Sequence, residues 1–325
     1  MKRIIALMLV LLLTLTACVR QERPSAETPP AETAENPAPE AEEPAAGTDE
    51  PAAATGEPAG AVEAPDLSAG CLELTDQLPF SLDWDGDGRE ETIDIQPLKT
   101  NSEADGVAFP LQLENDGTVW RSMDPGVWSV ALYLTDLDSD GSYELFLSGD
   151  LGSDDYVTYG WQLTDGDPEP IKFTGEVRYD NVTGVDYVDG SFVDATENGQ
   201  IRIDSFLYML GTYGGVRPYA FNDKGEIAPV EGTIWDYPHN DQALTLRTAL
   251  TAEAAAERNG SPTGEMLTLE AGDKLTLTGS DGVSHAWFET ADGRFGILEA
   301  EKQDWQWFIG GVEENEVFSD IPYAG

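Results

Sequence analysis

The chain has 325 residues, with 62 Asp and Glu against 17 Lys and Arg, and a formal net charge of −45 at pH 7. Phosphate binding works by exchanging counterions for Lys and Arg, so this balance excludes nucleic acid as a partner and sets the chain against anionic lipid headgroups. At 40% apolar residues the chain can still build a core of one large or two ordinary domains.

Met1-Lys2-Arg3 is a short basic start, and Ile4 to Leu15 is an almost unbroken apolar run. About a dozen residues are too few to span a bilayer, which takes roughly 20. They suit the apolar core of a secretory signal peptide. Leu15-Thr16-Ala17-Cys18 follows directly and resembles the bacterial lipobox. That resemblance implies a signal peptide over 1–17, cleavage before Cys18, and a lipid on the Cys18 sulfur. The protein would then face the cell exterior, anchored to the membrane through that lipid.

From 18 to 66 the chain is dominated by Pro, Ala, Glu, Thr and Gly, as in Pro37-Ala38-Pro39-Glu40-Ala41-Glu42-Glu43-Pro44. Such a composition buries too little apolar surface to offset the entropy of ordering. Proline and self-repelling carboxylates extend it at roughly 3 Å per residue. The segment reads as a spacer between membrane and cargo.

From Leu67 onward the sequence reads as all-β. Val130-Ala131-Leu132-Tyr133-Leu134, Gly199-Gln200-Ile201-Arg202-Ile203 and Lys274-Leu275-Thr276-Leu277-Thr278 are short runs of strand formers. Turn signals recur between such runs, at Asn115-Asp116-Gly117, Asp165-Gly166-Asp167, Asn222-Asp223-Lys224-Gly225, Asp281-Gly282 and Asp292-Gly293. That rhythm belongs to hairpins of a sandwich, barrel or propeller. Ala252 to Arg258 is the one helix-like stretch. Cys71 has no internal partner once Cys18 carries lipid, and is expected either as a small buried hydrophobe near Leu72 and Leu74 or in an intermolecular disulfide.

Asp83-Trp84-Asp85-Gly86-Asp87-Gly88-Arg89-Glu90-Glu91 places acids at positions 1, 3, 5 and 9 with Gly at 6. Asp136-Leu137-Asp138-Ser139-Asp140-Gly141-Ser142-Tyr143-Glu144 repeats the arrangement 53 residues later. Calcium takes six to eight oxygen ligands, and this spacing wraps carboxylates around one ion. The candidate ligands are Asp83, Asp85, Asp87 and Glu91, and Asp136, Asp138, Asp140 and Glu144, with Arg89 and Ser142 offering backbone carbonyls. Gly88 and Gly141 supply the sharp turn. Two Ca2+ sites with a structural role are expected, because such clusters repel themselves without a cation.

No acid stands at position 12 and strands follow each loop, so these are not EF-hands. The loops resemble instead the FG-GAP and VCBS repeats of calcium-stabilised propeller blades, with their D-x-D-x-D-G-x-x-D/E core. The resemblance implies a propeller-like repeat domain over 67–235. Its third unit, Val177 to Val230, lacks the acidic loop. Roughly three units are fewer than the four to eight blades of a closed propeller, which leaves closure open.

Glu270-Ala271-Gly272-Asp273-Lys274-Leu275-Thr276-Leu277 and Ala286-Trp287-Phe288-Glu289-Thr290-Ala291-Asp292-Gly293-Arg294-Phe295-Gly296-Ile297-Leu298 resemble bacterial Src-homology-3-like domains. That implies a small β-barrel over 236–325, a fold that in some members binds cell-wall peptides or glycans. Trp287, Trp305 and Trp307, with Phe308, are candidates for an aromatic groove, or simply for barrel core and rim.

Catalytic patterns are weak. His239 and His285 belong to no H-E-x-x-H motif, and no Gly-x-Ser-x-Gly occurs. The acids that cluster best are those of the calcium loops. The reading is a non-catalytic, cell-surface binding or scaffolding lipoprotein for cell-wall, glycan or protein ligands. The alternative is an extracellular hydrolase on a calcium-stabilised scaffold.

Overall fold

Alternating apolar and polar residues between Asp- and Gly-rich turns fold here into antiparallel sheets. The computed structural model describes residues 64–95, 98–99, 107–108, 111–115, 117–121, 129–152, 155–175, 177–179, 185–196 and 198–323. The expectations for the signal peptide, Cys18 and most of the tether lie outside the described residues. Among the described residues, no helix is long and apolar enough to cross a membrane.

Phe80–Leu82, Glu91–Ile95, Leu111–Asn115 and Thr118–Arg121 form a four-stranded meander in chain order. A seven-stranded sheet follows, ordered Leu72–Glu73, Val130–Thr135, Glu144–Asp150, Tyr156–Gln162, Asp186–Asp189 and Val177–Tyr179, with Glu169–Pro170 paired beside Tyr156–Gln162. A twelve-stranded sheet takes the chain from Ser191–Thr196 to Phe318–Ser319. The expected strands at 130–134 and 274–278 lie within longer ones, and that at 199–203 is strand from Gln200, with Gly199 in the preceding turn.

Two apolar clusters hold these layers together. The first packs Leu74, Trp84, Ile93, Leu113, Leu134, Leu145, Leu147 and Trp161. The second runs from Leu137 and Phe146 through Ile201, Tyr219 and Trp235 to Leu277, Phe288 and Phe318. Glu144–Asp150 serves both. Side chains of successive strand residues point to opposite faces, so Leu145 and Leu147 enter one cluster and Phe146 the other. Cys71 is half-buried against the second cluster, whereas Leu72 and Leu74 belong with the first. Burial pushes its thiol pKa up.

Two features depart from the local reading. Ala252 to Arg258 does not begin a helix: Leu250–Ala255 is a strand, paired with Pro262–Leu269 and Phe295–Glu299. Alanine favours helices in isolation, but Ala252 and Ala254 alternate into the core and pairing overrides that preference. The hairpin turns at Asn259, whose φ is 55°. The second feature is long-range. Trp235–Asp236, at the expected 235/236 boundary, pairs with Val216 on one side and with Ser280 and Gly279 on the other. The ladder therefore continues across it.

Candidate metal centres

Each acidic loop joins two neighbouring strands of a meander: Leu82 to Glu91 in the four-stranded sheet, Thr135 to Glu144 in the seven-stranded one. Position 2 anchors the loop from below. Trp84 is buried and donates its indole N–H to the Thr164 carbonyl at 2.9 Å, and Leu137 is 2% exposed in the larger cluster.

Above that anchor the two loops share one hydrogen-bond pattern. The position 6 amides of Gly88 and Gly141 donate to Asp83 Oδ2 and Asp136 Oδ2, at 3.0 and 3.2 Å. Asp85 Oδ1 accepts from the Asp87 amide at 3.0 Å, as Asp138 Oδ1 does from Asp140 at 3.3 Å. Asp87 Oδ1 and Asp140 Oδ1 accept from the amides of Arg89 and Ser142 at 2.8 and 2.7 Å. At position 7 the amide is thus taken by the position 5 carboxylate in both loops. Positions 4 and 6 are left-handed in both loops: Gly86 and Gly88 at φ 76° and 88°, Ser139 and Gly141 at 59° and 92°.

The carboxylates converge accordingly. One oxygen from each of Asp83, Asp85, Asp87 and Glu91 falls in a group whose atoms all lie within 4.8 Å of one another, and Asp136, Asp138 and Asp140 do the same. Such hard, anionic oxygen donors suit a hard divalent cation. Desolvation, opposed by the Trp84 amide and reinforced by the three aspartates, raises the Glu91 pKa. Asp138 is raised by desolvation and then by Asp140.

Glu144 behaves differently from its counterpart. It is not a member of the Asp136, Asp138 and Asp140 group. Its side chain is fully buried, with Oε2 accepting from the Leu137 amide at 2.7 Å and Oε1 without a hydrogen-bond partner. Desolvation, with Asp138, Asp136 and Asp140 adding to it, pushes its pKa up to about 8. A buried carboxylate with an orphaned oxygen beside three others is costly as an anion without a cation. Spacing alone marked Glu144 as a ligand. It did not reveal that residue 2 pins residue 9 through its amide.

The candidate aromatics are dispersed in role. Trp307 is core: 5% exposed, with its indole N–H donating to the Tyr208 carbonyl at 2.7 Å. Trp305 is 90% exposed, between the strands Glu301–Gln303 and Gln306–Ile309. Trp287 is half-buried and donates to the Gly260 carbonyl at 2.9 Å. Phe308 lines a cleft with Leu250, Leu298 and Val317 that includes none of the three tryptophans. His239 is exposed, and His285 pairs with Asp281 Oδ2 at 2.9 Å.

No family model matches the chain, and no solved structure matches it.

Proposed function

We propose that this chain is a calcium-stabilised, non-catalytic lipoprotein that binds or scaffolds ligands at the cell exterior. Cys18 carries the lipid, the acidic tether sets the distance from the membrane, and the β-region presents the binding surfaces. The observation that carries the calcium reading is the doubled loop, with its shared hydrogen bonds and crowded carboxylates around the buried Glu91 and Glu144. Calcium is the cation of choice because the donors are all oxygen and several carboxylates converge from one loop, whereas magnesium demands near-ideal octahedral geometry and keeps several waters.

In this reading the first two sheets are propeller-like blades of FG-GAP or VCBS type. Their meanders, with an acidic loop between adjacent strands, support it. Residues 236–325 are a Src-homology-3-like unit, supported by the antiparallel run of Lys274–Ser280, His285–Thr290, Phe295–Glu299 and Leu250–Ala255. Cell-wall glycans or peptides, or a protein partner, are the proposed ligands.

Removing calcium with EGTA is expected to lower the melting temperature by on the order of 5–10 °C, recovered with excess calcium but not with magnesium. Linkage to a ligand present at about 100 times its Kd is worth about 2.7 kcal/mol per site. An identical melt with and without EGTA overturns the calcium reading. Anchoring is tested separately: full-length Cys18→Ser, expressed in a bacterial host, should move from the membrane fraction to the soluble or secreted one. Continued fractionation with membranes through a salt wash refutes the lipid.

A further inference from the structure

The seven- and twelve-stranded sheets meet at Gly190, between the strands Asp186–Asp189 and Ser191–Thr196. Its amide donates to the Tyr156 carbonyl at 2.7 Å, and it packs so tightly that a Cβ there would lie 2.5 Å from the Asp204 carbonyl oxygen. This close approach brings Tyr156, Asp204 and their strand neighbours around one cleft of about 610 Å³. Ligand sites for small molecules fall in the range of roughly 300–1,000 Å³.

The lining has an unusual chemistry. Four of the eleven exposed large apolar side chains of the described residues, Leu151, Tyr156, Phe206 and Tyr208, converge there. Phe206 and Tyr208 are 44% and 62% exposed. They continue the alternation of Asp204 along and just beyond Gln200–Leu207, so the acid and both rings share one strand face. Across the ladder Phe206 faces Gly214, which has no side chain to cover the ring. Tyr187 adds a fourth aromatic residue, and Asp155 and Asp189 add carboxylates to that of Asp204. Among the described residues, no Lys, Arg or His lines the cleft.

Aromatic rings and carboxylates, with no cationic side chain among the described lining residues, describe a receptor for a large, weakly hydrated cation. A ring face attracts positive charge through its quadrupole, and methylated ammonium groups exploit this because they cannot satisfy a site by hydrogen bonding. Small inorganic cations stay hydrated and gain little from the rings. Neutral apolar ligands gain nothing from the Asp204 carboxylate, which stands on the same strand face as both rings. Desolvation raises the Asp204 pKa, and the charge of His239, which lies outside the cleft lining, opposes that rise.

We propose that this cleft binds small quaternary-ammonium cations, with Phe206 and Tyr208 as the ring contacts and Asp204 as the counter-charge. The site is independent of the calcium loops and shares none of their residues.

Isothermal titration of the calcium-loaded protein at physiological ionic strength, with choline and with its neutral carbon analogue 3,3-dimethylbutan-1-ol, tests it. Choline should saturate at one site, and the neutral analogue should bind at least about tenfold more weakly. Phe206→Ala and Tyr208→Ala should each weaken choline about five- to tenfold, and Asp204→Asn by a similar factor. Val193→Ala, at an exposed apolar position outside the cleft, should leave it unchanged. Unchanged melting temperatures for the ring variants would assign their losses to recognition. Non-saturating heats, equal affinity for the neutral analogue, or indifference to both ring variants overturns the proposal. A calcium-insensitive protein that still binds choline would sink the metal reading and leave this one standing.

Discussion

Glu144→Gln is expected to stabilise the calcium-free protein and to destabilise the calcium-loaded one. Without calcium the wild-type carboxyl is buried beside three aspartates, and its pKa is pushed up to about 8 from an ordinary 4.5. A carboxyl whose folded pKa lies above the unfolded one contributes its stability below about pH 4.5. That contribution is lost as pH rises toward 8. At neutral pH the neutral amide removes this penalty, worth about 1–3 kcal/mol after discounting the full shift at about 1.4 kcal/mol per unit. For a folded region of this size that is on the order of 5 °C in melting temperature. Gln keeps a side-chain oxygen that accepts the hydrogen bond donated by the Leu137 amide.

With calcium the sign reverses. On the proposed calcium reading the ion draws on the charge of Glu144 and of the aspartates beside it, so the amide should weaken the second site and lower the calcium-loaded melt. The pH dependence follows the same logic. In EGTA the gap between Glu144→Gln and wild type should widen from pH 5 to pH 8, while calcium affinity of the wild type should rise over that interval as the proton it must displace becomes easier to remove. Thermal melts of both proteins, with calcium and with EGTA, at pH 5, 7 and 8 decide the matter. A shift of the same sign in both media would show that Glu144 acts through packing alone.

Strand positions and acidic loops were legible locally because both depend on short-range spacing. Lys274 to Thr278 alternates, Asp281-Gly282 and Asp292-Gly293 turn, and the acids of 83–91 recur at 136–144. What lay out of reach depends on contacts distant in the chain. The Ala252 stretch has helical propensity, and only its partners Pro262–Leu269 and Phe295–Glu299 make it a strand. Ser139 carries no sign of its left-handed φ beyond standing where the first loop has Gly86. Tryptophans are dense near 287–307, yet Trp307 is core, and the exposed rings that line one cleft belong to Tyr156, Phe206 and Tyr208. Their convergence is set by Gly190 and Gly214, whose significance appears only when two sheets meet.

The strand between the two apolar clusters offers the other large effect. Phe146→Ala is expected to cost about 3–5 kcal/mol, the range for deleting a buried aromatic ring. Phe146 is fully buried and stacks on Phe192 at 5.3 Å between ring centroids, and Phe192 stacks in turn on Tyr133 at 4.4 Å. Opposite it in the ladder is Gly160, and a Cβ added there would lie 2.9 Å from Phe146 Cε1 and 3.3 Å from Ile171 Cδ1. Gly160 is therefore small because Phe146 is large, and not because its backbone needs a positive φ. Gly160→Ala alone forces the ring out of its packing and should cost about 1–3 kcal/mol, as overpacked cores do. In the Phe146→Ala background the same methyl enters the vacated space, and the second substitution should become neutral or restore about 1 kcal/mol. The coupling between the two, measured by urea denaturation of the four calcium-loaded proteins, should reach about 2 kcal/mol with the double variant more stable than additivity allows. Additive losses would mean that Gly160 is required by the backbone, and that the ring does not set the size of its neighbour.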